Sequence, residues 1–287
     1  MTMVMDTSIN TDSNIHSIYS GCGFCVFRQG NDLKTLHDNY SVSIVRGGFC
    51  SGRPMSYLLV EGKVYYSDGV LSGVLESNGN VTVKSRSWGL EVPLPPGLCG
   101  ITGSLLSGLY QLALTYERLD GQESGASILS LIDLSMGGIS IKYRFSKDPD
   151  VRTVNIYLSL VNDGPLCLLT KESNQHGGDD YGVFNYSSQS TLGNVLTTEG
   201  LKPPPPSSLI EHYNGRLYVA KHCTVWYSEL FSYELFDLSN SGFTFDAPIT
   251  RLKAYPDGGI SVETTSHVYF LKGKDAELFE TPIVFKR

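Results

Sequence analysis

The sequence predicts an all-β protein, and three observations support that prediction. Apolar and polar residues alternate with a period of two along many short segments, as they do in half-buried strands. The 287 residues include 30 glycines and 17 tyrosines, a composition that suits short strands joined by tight turns. Pairs of Asn or Asp with Gly separate the alternating segments and are typical of β-hairpins.

The alternating segments and the turns between them can be located along the chain. Strands are predicted at residues 42–45, 57–60, 63–66, 81–84, 108–116, 139–143, 154–158, 216–220, 224–228 and 267–271. Hairpin turns are predicted at Asn78-Gly79, Asp120-Gly121, Asn214-Gly215 and Asp257-Gly258. Short helical turns are expected only at residues 232–238 and 274–279.

A weak internal repeat indicates how the strands are organised. Residues 61–67, 214–220 and 264–271 each contain a turn followed by a strand with an aromatic residue on one face. The second and third copies are about fifty residues apart, close to the length of one four-stranded propeller blade. We therefore predict a β-propeller, complete or incomplete. The alternative is a pair of irregular β-sandwiches.

The middle of the chain predicts an inserted domain. It begins with a stiff Pro-rich stretch at residues 93–97, and strands then follow at roughly 8–15-residue spacing, which suits a small immunoglobulin-like sandwich. We predict a first propeller part at residues 1–95, the insert at 96–163 and a second propeller part at 164–287. A Pro-rich run at 202–207 predicts an extended linker, and residues 175–181 predict an exposed loop.

Charge argues against a surface that grips nucleic acid. The chain has 22 Lys and Arg against 29 Asp and Glu, for a net charge of −7. Tight DNA binding needs clustered basic residues, whereas a mildly acidic wall repels phosphates and lets DNA pass. The polar residues 1–10 predict no secretory leader, and no stretch approaches the ~20 apolar residues of a membrane span. We expect no membrane anchoring and synthesis in a cytoplasm with reduced thiols.

The cysteines do not predict a metal or redox centre. Cys22 and Cys25 form a CxxC motif, but a zinc site needs a second pair of ligands, and His16, His37 and Cys50 do not supply one at suitable spacing. A redox motif would need a βαβ context. We therefore expect Cys22 and Cys25 to pack as buried small hydrophobic residues, and we expect no bound zinc and six free thiols. They are Cys22, Cys25, Cys50, Cys99, Cys167 and Cys223.

The remaining polar residues predict neither a catalytic site nor a cofactor site. The six histidines lie outside HExxH and nucleophile motifs, and structural roles are expected for His16, His37, His176, His212, His222 and His267. Asp68, Asp120 and Asp257 are explained by turn chemistry, and Asp179-Asp180 by a solvated loop, not by calcium binding. Trp88 and Trp226 are expected to pack in the interior, with a sugar-binding platform as the alternative. Phosphate-loop and dinucleotide motifs are absent from the sequence.

Several motifs, in order, resemble a family of structural proteins of tailed bacteriophages. These proteins form the propeller-bearing nozzle or hub of the tail in short-tailed phages. The likeness runs over roughly residues 40–273. Its blade motifs are KVYYSDG (63–69), SWGLEVP (87–93), YNGRLYVA (213–220), VWYSE (225–229), DGGISVET (257–264) and VYFLKG (268–273). Residues 108–116, 121–125 and 154–157 resemble that family's fibronectin type III-like insert.

The resemblance implies a non-enzymatic virion component, with no catalytic residues to transfer. It implies a symmetric, hexamer-like ring that extends the tail tube, with portal, adaptor and tail-fibre proteins as neighbours. DNA would be a passing cargo during ejection. One alternative is a host-glycan-binding or fibre-docking module, in which Trp226 and Tyr227 would touch sugar. A propeller glycoside hydrolase is a third hypothesis.

Overall fold

The computed structural model describes residues 14–50, 52–77, 82–175, 179–256, 258–273, 276 and 283–286. These residues form twenty-three strands in six antiparallel sheets, so the all-β prediction is confirmed. The strands are β1 (Ile15–Gly21), β2 (Phe24–Gln29), β3 (Asp32–Leu36), β4 (Val42–Arg46), β5 (Ser56–Val60), β6 (Lys63–Ser67), β7 (Ser72–Ser77), β8 (Val83–Arg86), β9 (Gly97–Leu105), β10 (Gly108–Arg118), β11 (Ser130–Leu134), β12 (Gly137–Arg144), β13 (Val151–Leu158), β14 (Cys167–Ser173), β15 (Tyr181–Tyr186), β16 (Leu209–Tyr213), β17 (Arg216–Lys221), β18 (Thr224–Tyr227), β19 (Gly242–Thr244), β20 (Ile249–Tyr255), β21 (Gly259–Thr264), β22 (His267–Lys272) and β23 (Ile283–Lys286).

The predicted strands all fall on observed strands; of residues 81–84, Val81 lies outside the described residues and Thr82 precedes β8. The predicted helical turn at 232–238 is wrong, because these residues form turns and isolated bridges. The one at 274–279 lies outside the described residues except for Ala276. Asn78, Gly79 and Asp257 of the predicted hairpin turns also lie outside them.

Two-residue turns with positive φ set the register of several hairpins. Asn214 and Gly215 have φ of 46° and 77° between β16 and β17, as the sequence predicts. Cys22 and Gly23, at 53° and 78°, form the same kind of turn between β1 and β2. Both central residues of such a turn must be left-handed, which favours Gly at the second position.

The chain divides into two compact units. The first spans Met1–Trp88, Pro204–Tyr233 and Ser241–Arg287, and we call it the four-sheet unit. The second spans Gly89–Pro203 and Glu234–Asn240, and we call it the two-sheet unit. It extends beyond the predicted insert of 96–163, because β14 pairs with β13 and β15 pairs with β12. The predicted limit at 163 therefore falls between two hydrogen-bonded strands of one sheet.

The four-sheet unit consists of four meanders of four strands each. Sheet 1 contains β1–β4, sheet 2 β5–β8, sheet 3 β16–β19 and sheet 4 β20–β23, and every strand pairs with the next one in the sequence. Strand β16, the first of sheet 3, contacts β5 and β20, which are the first strands of sheets 2 and 4. One apolar cluster is shared by sheets 1 and 2, and another by sheets 3 and 4.

A buried ion pair joins sheets 1 and 2. Arg28 of β2 and Asp68, which follows β6, have fully buried side chains, with 3.6 Å between Nη1 and Oδ2. Arg28 also donates to the Cys50 carbonyl oxygen at 3.0 Å and lies 4.3 Å from the Phe49 ring centroid. The other Asp68 oxygen accepts hydrogen bonds from backbone N–H groups of its own turn. Asp68 therefore caps a turn, as the sequence predicted, and also pairs with Arg28, which the sequence did not predict.

The two-sheet unit packs two antiparallel sheets around one core. Its sheets have the strand orders β11-β10-β13-β14 and β15-β12-β9. Leu112, Leu114, Ile139, Ile141 and Ile156 are fully buried between them. The segment after β15 also packs within this unit, since the Ala126 N–H donates to the Thr198 carbonyl at 3.0 Å.

Removing the charge of Asp68 should destabilise the fold. In Asp68→Asn the turn-capping oxygen remains, but the buried Arg28 charge loses its counter-ion, and we expect a loss of about 3 kcal/mol in unfolding free energy. The control Glu263→Gln breaks the exposed pair with Arg251, with a cost below about 1 kcal/mol. Urea unfolding measures both. Adding Arg28→Met to Asp68→Asn should recover stability, and a double variant weaker than Asp68→Asn would contradict this account.

Gly125 leaves no room for a side chain. A Cβ at this position would lie 1.7 Å from the Leu201 carbonyl oxygen, so Gly125→Ala must displace backbone. We expect a cost of roughly 1–3 kcal/mol, as for other overpacked sites. Gly97→Ala is the matched control, because its nearest neighbour would lie 3.7 Å away, and its effect should stay within about 0.5 kcal/mol. Equal melting temperatures for the two variants would rule out the packing argument.

Candidate functional site

A groove in the four-sheet unit, where β16 and β20 end, is the candidate site. Its volume is about 520 Å³. The residues that line it are Glu211, His212, Tyr213, Asn214, Ala254 and Pro256. We call it the His212 groove.

Local structure places these side chains. Strand β16 runs to Tyr213 and ends in the Asn214-Gly215 hairpin turn, so four lining residues are consecutive. The Tyr213 hydroxyl donates to the Gly273 carbonyl at 2.7 Å and thereby ties sheet 3 to sheet 4. Ala254 lies on β20 and Pro256 directly follows that strand.

His212 contributes a buried ring nitrogen to the groove lining. Its Nε2 is buried and has no hydrogen-bond partner among the described residues. Burial lowers the pKa of His212 below its ordinary value of 6.5, and the opposing fields of Glu61 and Glu211 are the smaller effects. The imidazole is therefore neutral near pH 7, with one nitrogen as donor and the other as acceptor.

Tyr233 and Glu61 support the imidazole from one side. The two rings of His212 and Tyr233 meet edge to face, 5.7 Å apart. The Tyr233 hydroxyl donates to a Glu61 carboxylate oxygen at 3.0 Å. Burial, together with this bond, raises the pKa of Tyr233 to about 12, so the phenol keeps its proton. The groove lining thus contains one carboxylate, that of Glu211, and a neutral imidazole whose Nε2 is closed off from solvent.

The structure places Cys22 differently from the prediction. Cys22 is exposed, so the expectation that it packs as a buried small residue is wrong, and Cys50 and Cys99 are exposed as well. Cys22 is exposed because it occupies the hairpin turn before β2, while Cys25 lies half-buried in that strand. The described residues hold no group of three or more His, Cys, Asp or Glu that could bind a metal ion.

The other described histidines lie apart from the groove residues. His16 bonds Ser17, and His37 bonds Ser43. His267 Nδ1 lies 2.9 Å from Asp246 on the surface of sheet 4. His222 is exposed in the turn between β17 and β18, and His176 lies outside the described residues. No sequence motif distinguished His212 from these five, because its role depends on strands distant in the chain.

The predicted acidic and aromatic candidates are also dispersed. Asp120 caps its own turn through the Gln122 N–H, and Asp179 and Asp180 are exposed. Both tryptophans were predicted to pack in the interior, and this holds for Trp88, which is 3% exposed and donates from Nε1 to the Tyr233 carbonyl. Trp226 is only half-buried. Tyr227 is 7% exposed, so it is not the exposed aromatic residue that the glycan-binding alternative assigns to it.

Comparisons with known proteins give little guidance. No protein-family model matches the chain, and no curated protein matches it. One similar solved structure, described as the AfRom2 CNH domain, has 9% identity over 96% of this chain and 85% of its own length, with a TM-score of 0.23. A likeness of that size carries no argument about fold or function. Among the described residues, no helix has the length and apolar character to cross a membrane.

Stability should fall on acidification because of His212. The pKa of His212 is lower in the folded state than the unfolded value of 6.5. The contribution of neutral His212 to the unfolding free energy is therefore fully present above pH 6.5, and it is lost as the pH falls through the folded pKa. We expect a lower urea midpoint at about pH 5.5 than at about pH 7.5, and a weaker dependence in His212→Gln. An NMR titration of the ring tests the cause directly: an apparent pKa above 6.5 would contradict it.

Proposed function

We propose that this chain is a non-enzymatic component of a bacteriophage tail, a ring-forming nozzle or hub through which DNA passes at ejection. The observation that carries the proposal is the ordered set of phage-like motifs, combined with the way the chain is divided. Four meanders form one unit, and a two-sheet unit is inserted between β8 and β16. This is the organisation that the resemblance implies.

The propeller interpretation of the four-sheet unit is part of the proposal. Each meander has four strands, as a propeller blade does. The first strands of successive sheets lie near one another: the Met55 N–H donates to Ser17 Oγ, and Ser56 Oγ donates to the Ser208 carbonyl. Innermost strands meet in this way around the axis of a propeller. The two-sheet unit would be the fibronectin type III-like insert, since it packs two antiparallel sheets over one core.

Exposed apolar side chains support contacts between copies. Around the edge strand β11 of the two-sheet unit, Ile128 is 77% exposed, Leu131 59% and Met136 78%. An edge strand with exposed apolar residues favours association with another chain. The net charge of −7 fits a lumen that DNA slides past without adhering. Portal, adaptor and tail-fibre proteins would be the neighbours in the virion.

The mass of the purified assembly, alone and with portal complex, tests the proposal. We expect a closed, hexamer-like oligomer, at least on the portal, and particles lacking the protein that package DNA but fail to infect. Ile128→Lys with Leu131→Lys should reduce the oligomer to monomers, while Val183→Lys, at a residue of β15 that is 58% exposed, should not. A strict monomer with and without portal would contradict the proposal, as would tight, salt-sensitive binding of duplex DNA.

A further inference from the structure

We infer that two copies of this chain pair through the end of the four-sheet unit that carries the His212 groove. In this contact, the Phe231 side chain of each copy enters the groove of the other. Nothing in the tail-component proposal requires such a pair, so the inference goes beyond that proposal. Three properties of Phe231 support it: its backbone conformation, the exposure of its ring and its position beside the groove.

Phe231 occupies a turn position that glycine normally takes. The Ser232 N–H donates to the Glu229 carbonyl oxygen at 3.2 Å, and this bond closes a four-residue turn. Phe231 is the third residue of the turn and has a φ of 54°. Turns with a positive φ at their third residue favour Gly or Asn, because a bulky side chain is strained there. The conformation of the turn therefore does not account for an aromatic residue at this position.

The Phe231 ring is held in place without being buried. The Phe231 N–H donates to the Gly215 carbonyl oxygen at 2.7 Å, and a Cβ added at Gly215 would lie 2.7 Å from the Phe231 ring. Even so, Phe231 is 70% exposed and Leu230 is 46% exposed. An apolar side chain that is exposed and already fixed is typical of an anchor residue in a protein–protein interface, since ordering it on binding costs little.

The groove lies directly beside this ring. Gly215, which the ring contacts, follows the lining residue Asn214 in the chain. A projecting side chain next to a recess suits a two-fold interface, because each copy then supplies both halves of the contact. The groove has a volume of about 520 Å³ and is large enough for a phenyl ring, for which Ala254 and Pro256 provide apolar walls. The closed-off Nε2 of His212 takes no part in this contact.

Charge and area set the strength of the contact. Glu211 lines the groove and Glu229 lies two positions before Phe231, so docking brings carboxylates of the two copies towards each other. This repulsion between partly exposed charges is weak and is screened by salt, whereas burial of apolar surface is not screened. Two small apolar tips bury less area than a standard interface does. We therefore expect a dissociation constant on the order of 100 µM that falls as salt is added.

Sedimentation velocity of the full chain tests the inference. The background is Ile128→Lys with Leu131→Lys, which removes the contacts proposed for the ring. At about 5 µM this variant should be monomeric, and at about 300 µM about two-thirds of it should be dimeric, as a dissociation constant of about 100 µM requires. Added salt should raise the dimer fraction.

Phe231→Gly, added to this background, distinguishes an anchor from a structural residue. Loss of the ring should weaken the dimer by a factor of about ten or more. The melting temperature should stay within about 2 °C, because glycine relieves the strain at a φ of 54° and thereby offsets the lost contact with Gly215.

Two further variants locate the contact. Tyr40→Gly is the matched control: Tyr40 has a φ of 63° and is 71% exposed, but it does not line the groove, so the dimer should be unchanged. Ala254→Trp fills the groove and should weaken the dimer as Phe231→Gly does. Phe231→Gly decides alone if Ala254→Trp does not fold.

Four outcomes would overturn the inference. A background variant that stays monomeric at about 300 µM, at both low and high salt, would show that the copies do not pair here. A dimer that keeps its affinity in Phe231→Gly would place the contact elsewhere. An equal loss in Tyr40→Gly would assign the effect to relief of backbone strain. A melting temperature lowered by several degrees in Phe231→Gly would make the ring a structural residue. None of these results bears on ring formation, which the assembly mass measures in the chain without the two lysines.

Discussion

Pairing of each strand with the next one in the chain is the constraint on which the four-sheet unit depends. The hairpins at Cys22-Gly23, Glu61-Gly62 and Asn214-Gly215 fix that pairing with two residues of positive φ. A meander built in this way satisfies its backbone locally, but it cannot bury both of its faces. Sheets 1 and 2 therefore share one apolar cluster, and sheets 3 and 4 share another. Packing between sheets, and not pairing within them, supplies the interior.

Two buried ion pairs join segments that lie far apart in the chain. In the four-sheet unit, Arg28 and Asp68 come from different sheets. In the two-sheet unit, Arg118 and Glu234 lie 2.6 Å apart at Nη1 and Oε2 with both side chains buried. Such pairs contribute little net stability compared with apolar replacements, yet a single partner alone is costly. They therefore disfavour arrangements in which these segments fail to meet. Glu234 lies 116 positions from Arg118 along the chain, so this pair constrains a long-range contact.

Sequence patterns predicted many strands and turns correctly, because these elements depend on residues that are close together in the chain. Alternation located β6, β10 and β17, and the Asn214-Gly215 pair located its turn. Polar or Gly-rich strands such as β9, with the sequence GLCGITGSL, show no clean alternation and were missed. Side-chain contacts between sheets could not be predicted from the sequence either. Asp68 was explained as a turn residue, although its carboxylate also pairs with Arg28. Cys22 was expected to be buried because the positive φ of its turn was not recognised.

The His212 groove shows why a site of this kind escapes sequence motifs. Glu61 and Tyr233 are 172 positions apart, and their hydrogen bond forms only when the turn after β5 meets the chain beyond β18. Neither is distinctive in its own segment, and His212 is one of six histidines. Once the sheets pack, burial removes water from the imidazole and leaves Nε2 without a hydrogen-bond partner among the described residues. The carboxylates of Glu61 and Glu211 make the electrostatic potential around the ring negative. The chemistry of the groove is therefore a product of the inter-sheet packing.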